Sequence, residues 1–427
     1  MKVLKLGWEF PPFFAGGVGT VCGALSDAMV DLGVDLTFVM PSGPEEVYQD
    51  LNEKRTRKGQ GKFKIVITNN KYKNVNIKKI KINSLLQAYT DTVSYKKQYD
   101  SYIERGKDET TKKPIYGKEL KQEIYRFAEQ VKLLVEDEDF DVIHSHDWVT
   151  NLAGIALKKK TGKPFIAHVH ITEFDKTGQK SADPDVYAIE RKGMHAADLI
   201  ITVSNKIKQT CMEKYGVPEE KIRVVHNAAT PMNDNIFYDN EHIKERDKVV
   251  LFAGRVTLQK GPDYFVDAAK IVLEKNPNTM FIMAGSGDML PAMIEKVANM
   301  GLSDKFIFTG FYTRDQAEKL FSMADVFVMP SVSEPFGVVP FEAQIKKTPT
   351  IISKQSGIAE ILYHALQVDF WDTREMANKI LALLNFTTLN KELSEKGYWE
   401  AKLSTWTKPA RRCLEVYAEA KEKNNKK

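Results

Sequence analysis

Two basic side chains flank a four-residue loop in the second half of the chain, a spacing that could hold an anion. Arg255 and Lys260 stand on either side of residues 256–259, directly after the apolar run 249–253. A guanidinium binds two phosphate oxygens at once and an ammonium supplies a point charge, so the pair could converge on a diphosphate. Such charges would also stabilise a departing phosphate. The alternative is a pair of solvated surface charges.

Two carboxylates follow further along the chain. Glu334 lies in the run Ser333-Glu334-Pro335-Phe336-Gly337, and Glu342 comes eight positions later. Proline and glycine predict a loop, and residues 338–345 predict a helix that contains Glu342. A carboxylate can accept hydrogen bonds from both hydroxyls of a ribose, which suits nucleotide recognition. The alternative is that both side chains only tether the helix.

A glycine-rich stretch, Gly16-Gly17-Val18-Gly19, separates the first apolar run from a helical pattern. Glycines let backbone N–H groups approach an anion at the positive end of a helix. The dinucleotide fingerprint G-x-G-x-x-G is absent, which disfavours a nicotinamide cofactor. A purely structural tight turn remains the alternative.

Four of the eight histidines form two H-x-H pairs at predicted strand ends, His144 with His146 and His168 with His170. Alternate strand residues point to the same side, so each pair could face a ligand. Hydrogen bonds to sugar hydroxyls or a phosphate are the favoured interpretation. Core packing and zinc binding are the alternatives, and the neighbouring residues offer no third metal ligand.

Alternating apolar runs and amphipathic stretches determine how these residues are positioned. The runs are 3–6, 36–40, 142–144, 165–167, 199–203, 222–225, 249–253, 280–284, 306–308, 326–329 and 350–352. Buried strands alternating with helices specify doubly wound α/β layers, which bind ligands outside the carboxyl ends of their strands. The polar segment 230–248 is the predicted linker. We therefore expect two Rossmann-like domains, 1–240 and 241–406, and a C-terminal helix, 407–427, that returns to the first.

Composition, charge and cysteine number limit the classes of protein to which the chain can belong. The apolar fraction of 43 % is globular, and a net charge of +5 does not by itself imply nucleic acid. The start of the chain is not a secretory signal, and no apolar run is long enough to cross a membrane, so a cytoplasmic location is expected. Three scattered cysteines predict packing roles. Basic residues concentrate within 54–121, in a predicted insertion at about 43–120. They indicate a solvated surface or, alternatively, contact with a phosphate-bearing acceptor or an anionic membrane.

In combination, these motifs resemble glycosyltransferase family 4 and the related bacterial and archaeal glycogen synthases, which share the GT-B fold of two Rossmann-like domains facing across a cleft. The resemblance spans nearly the whole chain. It includes Gly16–Gly19, 141–148, His170 with 172–174, 225–228, Gly254-Arg255 with Lys260-Gly261, 284–288, 334–337 with Glu342, and the helix near Trp406. Glycogen synthases carry Lys-Thr-Gly-Gly at the first loop, whereas Phe14-Ala15 precede the glycines here, as in the wider family.

The resemblance implies roles for individual residues. Arg255 and Lys260 would bind the donor diphosphate, and Glu342 would bind the ribose. Glu334 would lie against the donor sugar, and His170 would contact that sugar and orient the diphosphate. The other implied donor-binding residues are Gly16, Gly17, Gly19, Gly285, Phe336 and Gly337, and the acceptor-side candidates are His146, Asp147, Trp148 and Glu173. Alanine at position 255 or 260 is expected to impair transfer and to leave the melting temperature nearly unchanged, as for residues in an open site.

The implied activity is that of a retaining enzyme that moves a hexose, with glucose the first candidate, from a UDP-, ADP- or GDP-sugar to a carbohydrate or glycan. No metal or other cofactor is expected, because Arg255 and Lys260 supply the positive charge. Elongation of an α-1,4-glucan, nucleotide-sugar epimerisation, a glucan phosphorylase and a non-catalytic binding module are the alternatives. We expect the domains to close on the donor, with hinges near 233–248 and 404–408.

Overall fold

The computed structural model describes residues 1–11, 17–41, 61–68, 118–134, 138–229 and 247–426. Gly16, all but the last two residues of the predicted linker 230–248 and hinge 233–248, and most of the basic segment 54–121 lie outside these ranges. The chain divides into two compact units. The first comprises Met1–Glu173, Ala182–Asn227 and Trp406–Lys427, and the second comprises Phe174–Ser181 and Ala228–Thr405.

The first unit is built on a seven-stranded parallel sheet of order β3-β2-β1-β4-β5-β6-β7. Its strands are β1 (Lys2–Leu6), β2 (Asp35–Met40), β3 (Phe63–Ile67), β4 (Val142–His146), β5 (Phe165–Val169), β6 (Leu199–Thr202) and β7 (Ile222–Val224). Its helices include α1 (Gly17–Asp31), α2 (Lys118–Leu134) and α3 (Trp148–Thr161). They continue with α4 (Glu173–Lys176), which runs into the second unit, then α5 (Pro184–Ala196) and α6 (Asn205–Tyr215). Covering helices explain why strands such as β4 and β5 are buried along their entire length.

The predicted insertion at 43–120 contains a strand that the sequence analysis did not predict. Strand β3 pairs in parallel with β2, with Phe38 opposite Ile65. Lysines at positions 62 and 64 hide its pattern, because their side chains point to solvent while Phe63, Ile65 and Val66 are buried. An edge strand with one charged face is a common way to protect a sheet edge from unwanted pairing.

The second unit has a six-stranded parallel sheet of order β10-β9-β8-β11-β12-β13. Its strands are β8 (Lys248–Ala253), β9 (Thr279–Ala284), β10 (Phe306–Gly310), β11 (Val326–Met329), β12 (Thr350–Ser353) and β13 (Leu366–Val368). Its helices are α7 (Pro262–Lys275), α8 (Leu290–Asn299), α9 (Arg314–Met323), α10 (Val339–Ile345), α11 (Thr373–Asn385) and α12 (Thr387–Leu403). A core centred on Phe265, Phe281 and Phe306 holds these layers together.

The last helix, α13 (Thr407–Asn425), packs in the first unit. The Glu419 carboxylate pairs with Arg223, and the Lys421 ammonium lies 3.0 Å from the Asp141 carboxylate. Tyr417 is fully buried, with its hydroxyl 2.5 Å from the His144 ring nitrogen Nδ1. Within the described ranges, no helix is both long and apolar enough to cross a membrane.

Candidate active site

Lys260 and Glu334 form an ion pair in the second unit. Lys260 ends a 3-10 turn, Leu258–Lys260, that follows β8, and Glu334 lies in the loop after β11. The Lys260 ammonium donates to Oε2 of Glu334, and the Ser331 hydroxyl lies 3.4 Å from the same oxygen. The two side chains are only 16 % and 10 % exposed. The sequence analysis treated these residues as separate ligand contacts, whereas the structure couples them.

Backbone hydrogen bonds fix the loop that carries Glu334. The Glu334 N–H donates to the carbonyl of Gln355 at 3.2 Å, and its own carbonyl accepts from the Gly357 N–H at 2.9 Å. The Phe336 carbonyl accepts from the Ile358 N–H at 2.8 Å. Gly337 has φ +93°, and a Cβ there would meet Cγ of Glu334 at 2.9 Å. A side chain at position 337 would therefore strain the backbone and press on the carboxylate.

Arg255 follows β8 in the same unit. Its guanidinium Nη2 donates to Oε1 of Gln259 at 3.3 Å, and the Gln259 carbonyl accepts from the N–H of Val332 at 2.9 Å. This contact joins the Arg255 loop to the loop that carries Glu334. Nearby, a Cβ on Gly285 would lie 1.8 Å from the Gly254 carbonyl oxygen, so the crossing of the two backbones requires glycine.

Glu342 is the fourth residue of α10, inside the helix that the sequence predicts. Burial raises the pKa of Glu342 to about 7, and the Arg314 guanidinium partly offsets that rise. The Glu342 side chain as a whole is half-buried. It therefore lies near the midpoint of its titration at neutral pH, an unusual state for a glutamate.

The segment Phe174–Ser181 comes from the first half of the sequence but belongs to the second unit, where it supports the loop that carries Glu334. The Ser333 hydroxyl donates to the Asp175 carboxylate oxygen Oδ1 at 2.8 Å. The Gln179 amide lies 2.9 Å from the same carboxylate oxygen and 3.2 Å from the Ser333 hydroxyl. Asp175 and Ser333 are fully buried. Sequence reasoning missed Asp175, and the only signal was its position two residues after Glu173.

In the first unit, the two H-x-H pairs contact each other. His146 Nδ1 lies 2.8 Å from His170 Nε2, and His144 Nε2 lies 3.1 Å from His168 Nδ1. All four rings are buried. Burial lowers the pKa of each of them, to about 3 for His170, and the nearby Lys5 ammonium adds to the effect. The imidazoles are therefore neutral at physiological pH.

Asp147 anchors the backbone at His170. It adopts φ 59° immediately before α3. Its Oδ1 accepts from the N–H of His170 at 2.7 Å and from that of Ile171 at 3.3 Å. Trp148 is buried beside it, and its indole N–H has no hydrogen-bond partner among the described residues. Both side chains are buried, and Asp147 holds the backbone at His170 in place.

Two further predicted residues have different surroundings. Glu173 is nearly buried, and its N–H donates to the Glu190 carboxylate at 3.0 Å, which fixes the chain after His170. Helix α1 begins at Gly17, where an added Cβ would meet nothing within 4 Å. Gly19 is buried one half-turn later. The start of α1 thus exposes backbone at Gly17, as an anion-binding helix end requires.

Family models match both halves of the chain. The model "Glycosyltransferase Family 4" matches residues 90–231, and the model "Glycosyl transferases group 1" matches residues 234–399. Together with two doubly wound parallel-sheet units, these matches define a transferase of the GT-B class. The chain belongs to the family 4 and group 1 glycosyltransferases.

Curated relatives are similar over most of their length. An uncharacterised glycosyltransferase of Methanocaldococcus jannaschii is 28 % identical over 85 % of this chain and 83 % of its own. Mannosylfructose-phosphate synthase of Agrobacterium fabrum is 26 % identical over 65 % of this chain and 68 % of its own. D-inositol 3-phosphate glycosyltransferase of Thermobispora bispora is 27 % identical over 69 % and 74 %.

Solved structures share the fold. Sucrose-phosphate synthase of Thermosynechococcus elongatus superimposes with a TM-score of 0.70 at 18 % identity, covering 98 % of both chains. Anabaena HepE in complex with UDP and glucose superimposes with a TM-score of 0.66 at 15 % identity, covering 98 % of this chain and 100 % of its own. At such identities the likeness establishes the GT-B architecture alone.

Proposed function

We propose that the protein is a retaining glycosyltransferase that moves a hexose from a nucleoside diphosphate sugar to a carbohydrate acceptor. The observation that carries the proposal is the Lys260–Glu334 ion pair, joined through Gln259 to Arg255. Two cations and one carboxylate on adjoining loops suit a diphosphate linked to a sugar. Both loops follow strands of a parallel sheet, where such folds bind nucleotides.

Each residue has a part in the transfer. Arg255 and Lys260 bind the donor diphosphate and stabilise the charge that grows on it as the bond to the sugar breaks. Glu342 accepts hydrogen bonds from the ribose, and Glu334 lies beside the anomeric carbon, where positive charge develops. His170 contacts the sugar as a neutral imidazole. No metal cofactor is needed for this chemistry, because the two cations provide the electrostatic stabilisation.

Retention follows from displacement on one face of the sugar. The bond between the anomeric carbon and the phosphate oxygen breaks, and the departing phosphate accepts the proton of the acceptor hydroxyl. The oxygen of that hydroxyl then bonds to the anomeric carbon on the face that the phosphate leaves. A covalent intermediate on Glu334 is the rival mechanism. The Lys260 ammonium engages that carboxylate, which weakens it as a nucleophile and supports the single-step route.

The relatives suggest which substrates to test first. HepE has been solved with UDP-glucose, which makes this nucleotide sugar the first donor candidate. The names mannosylfructose-phosphate synthase and D-inositol 3-phosphate glycosyltransferase suggest small phosphorylated carbohydrates as acceptors. Elongation of an α-1,4-glucan is the second candidate, suggested by the resemblance to glycogen synthases.

A donor panel tests the proposal. UDP-, ADP- and GDP-sugars are first compared by thermal shift, since a ligand bound at 100 times its Kd stabilises the folded state by about 2.7 kcal/mol. The stabilising donor is then incubated with phosphorylated hexoses, inositol phosphate or a glucan, and the anomeric configuration of the product is determined by NMR. We expect a retained linkage to one acceptor class. Free UDP with an epimerised sugar, formed without an acceptor, would instead identify an epimerase.

Donor binding should depend on pH through Glu342. Its carboxylate accepts charge-assisted hydrogen bonds from two hydroxyls, whereas the protonated form is neutral and keeps only its carbonyl oxygen as a good acceptor, so the donor KM should fall as pH rises through about 7. For a single ionisation at that pH, the donor KM at pH 6 should be about 10-fold higher than at pH 8. Glu342→Gln should remove this dependence. A wild-type KM that does not change over this range would contradict the assignment.

The same shift has a consequence for stability. The folded state raises the pKa of Glu342 from 4.5 to about 7, so folding favours the protonated carboxyl. The contribution of this residue to the free energy of unfolding should therefore decrease as pH rises from about 4.5 to 7. In Glu342→Gln, that pH-dependent decrease should be absent, which separates it from the effects of other groups.

A further inference from the structure

A cysteine and two histidines converge in the interior of the first unit. Cys22 belongs to α1, His146 ends β4, and His170 follows β5. One possible ligand atom from each lies within 4.8 Å of the other two, and all three residues are buried. The sequence analysis found no third ligand beside the H-x-H pairs, because Cys22 is more than a hundred positions earlier in the chain.

Two ring nitrogens in this cluster have unmet hydrogen-bonding capacity. His146 Nε2 and His170 Nδ1 are buried and have no hydrogen-bond partner among the residues that the structure describes. Cys22 is a free, buried thiol. Burying a polar nitrogen without a partner costs about 1–3 kcal/mol. The facing nitrogens of the two rings, His146 Nδ1 and His170 Nε2, lie 2.8 Å apart and form one hydrogen bond, which a metal bound to both rings would replace.

We propose that Cys22, His146 and His170 form a binding site for a divalent cation of zinc-like preference. Thiolate and neutral imidazole are the ligands that zinc prefers. In a tetrahedral site with bonds of about 2.0–2.3 Å, the ligand atoms are about 3.3–3.8 Å apart. The possible ligand atoms already lie within 4.8 Å of one another, so small side-chain shifts reach that spacing. Three protein ligands leave one position for water or another exogenous group.

Charges around Cys22 are compatible with a bound cation. Burial raises the pKa of the Cys22 thiol, and the carboxylates of Asp147 and Glu9 raise it further, while the Lys5 ammonium lowers it. The two carboxylates favour a cation. The Lys5 ammonium opposes one. The thiol proton must leave when metal binds, so affinity should increase with pH.

A cation at this position would inhibit transfer. This consequence rests on the proposed function, which assigns His170 to the donor sugar, because a metal-bound imidazole is no longer available to that sugar. The site itself does not depend on the proposed function, since metal binding can be measured without any transfer assay. The two ideas can therefore fail separately.

Cobalt titration of the full-length protein tests the site. After treatment with a chelator, Co²⁺ is added while the absorption spectrum is recorded, followed by Zn²⁺ to displace it. We expect one equivalent to produce the visible bands of tetrahedral cobalt and a near-ultraviolet thiolate charge-transfer band. Cys22→Ser and Cys22→Ala should lose the charge-transfer band and bind Co²⁺ about 100-fold more weakly or worse. Cys211→Ser is the matched control, since Cys211 is also a buried cysteine of the first unit.

The outcomes are distinct. A charge-transfer band that is lost in both Cys22 variants and retained in Cys211→Ser supports the site. A wild-type protein without the band, or Cys22 variants that keep it, overturns it. Circular dichroism and thermal melts confirm that the variants are folded, and Cys22→Ala provides a second variant if serine is not tolerated. With a donor identified, Zn²⁺ should inhibit wild-type transfer but not transfer by folded Cys22→Ala, and equal inhibition of both would contradict the inhibitory role.

Discussion

Replacing Lys260 by methionine should lower kcat/KM for the sugar donor by about 30- to 1,000-fold, equivalent to about 2–4 kcal/mol of transition-state stabilisation. The ammonium is proposed to face the diphosphate, whose negative charge grows as the bond to the sugar breaks. Methionine keeps most of the apolar stem, so packing around the 3-10 turn Leu258–Lys260 is preserved. Steady-state kinetics with the donor from the binding panel measure the effect.

The same variant should be less stable in the absence of donor. Loss of the Lys260 ammonium leaves the Glu334 carboxylate, which is only 10 % exposed, without its ion-pair partner. Exposed pairs contribute less than about 1 kcal/mol, and breaking a buried pair costs about 3–5 kcal/mol. For this partly buried pair, we expect a loss of about 1–3 kcal/mol in the free energy of unfolding. The sequence analysis, which placed Lys260 in an open site, expected almost no change.

Arg255→Ala should show a similar kinetic loss, because its guanidinium is proposed to bind the same diphosphate. The matched control is Lys346→Met, which breaks a buried ion pair with Glu318 at the C-terminal end of α10. That variant should lose stability while kcat/KM per folded molecule is unchanged. The diphosphate assignment fails if Lys260→Met or Arg255→Ala behaves kinetically like this control.

Glu334→Gln and Glu342→Gln should impair catalysis in different ways. Glu334 is proposed to stabilise positive charge at the anomeric carbon, which develops only in the transition state. Its substitution should lower kcat by about 30- to 1,000-fold with little change in KM. Glu342 is proposed to hold the ribose before and during reaction. Loss of its charged hydrogen bonds should mainly raise the donor KM, by about 10- to 100-fold.

The rival explanation is that both glutamates only tether the loop and α10. The matched control is Glu400, a carboxylate in the same unit that accepts from the N–H groups of Tyr363 and His364 at 2.9 Å. Glu400→Gln should reduce stability and leave the kinetic constants per folded molecule unchanged. Folded variants at positions 334 and 342 with indistinguishable kinetic defects would contradict the division of roles. Variants that melt early with normal kinetics per folded molecule would show that both glutamates, like Glu400, have only a structural role.

Local patterns were sufficient to predict the architecture of both halves. The apolar runs 3–6 and 249–253, for example, lie within β1 and β8, because a strand covered on both faces needs a continuous apolar segment. The predicted helix at 338–345 is α10, Val339–Ile345. Strand β3 was missed because its lysines interrupt the apolar run, and a lysine on an edge strand costs little when its side chain reaches water.

The chemical class could also be predicted from sequence. The motif residues lie at strand ends, and their order and spacing resemble those of family 4 glycosyltransferases. Arg255 follows β8 and Glu334 follows β11, so strand–helix alternation already places them at one edge of a parallel sheet. Sequence could not determine that the Lys260 ammonium binds the Glu334 carboxylate. That contact depends on two loops 74 positions apart and on the direction of two flexible side chains.

Only the tertiary structure decided which buried polar groups contact one another. Asp175 reaches Ser333 across 158 positions, and Cys22 on α1 lies close to the His146–His170 pair at the ends of two strands. Local sequence carries no signal for such contacts, since a buried aspartate, cysteine or histidine is as compatible with its own strand or helix as an exposed one. Burial then changes their chemistry: it keeps His170 neutral and brings the pKa of Glu342 to about 7. Sequence thus determined the fold and the residue types available for transfer. Packing determined the partners and the protonation of those residues, because their desolvation and the distances between their side chains are set only when the chain folds.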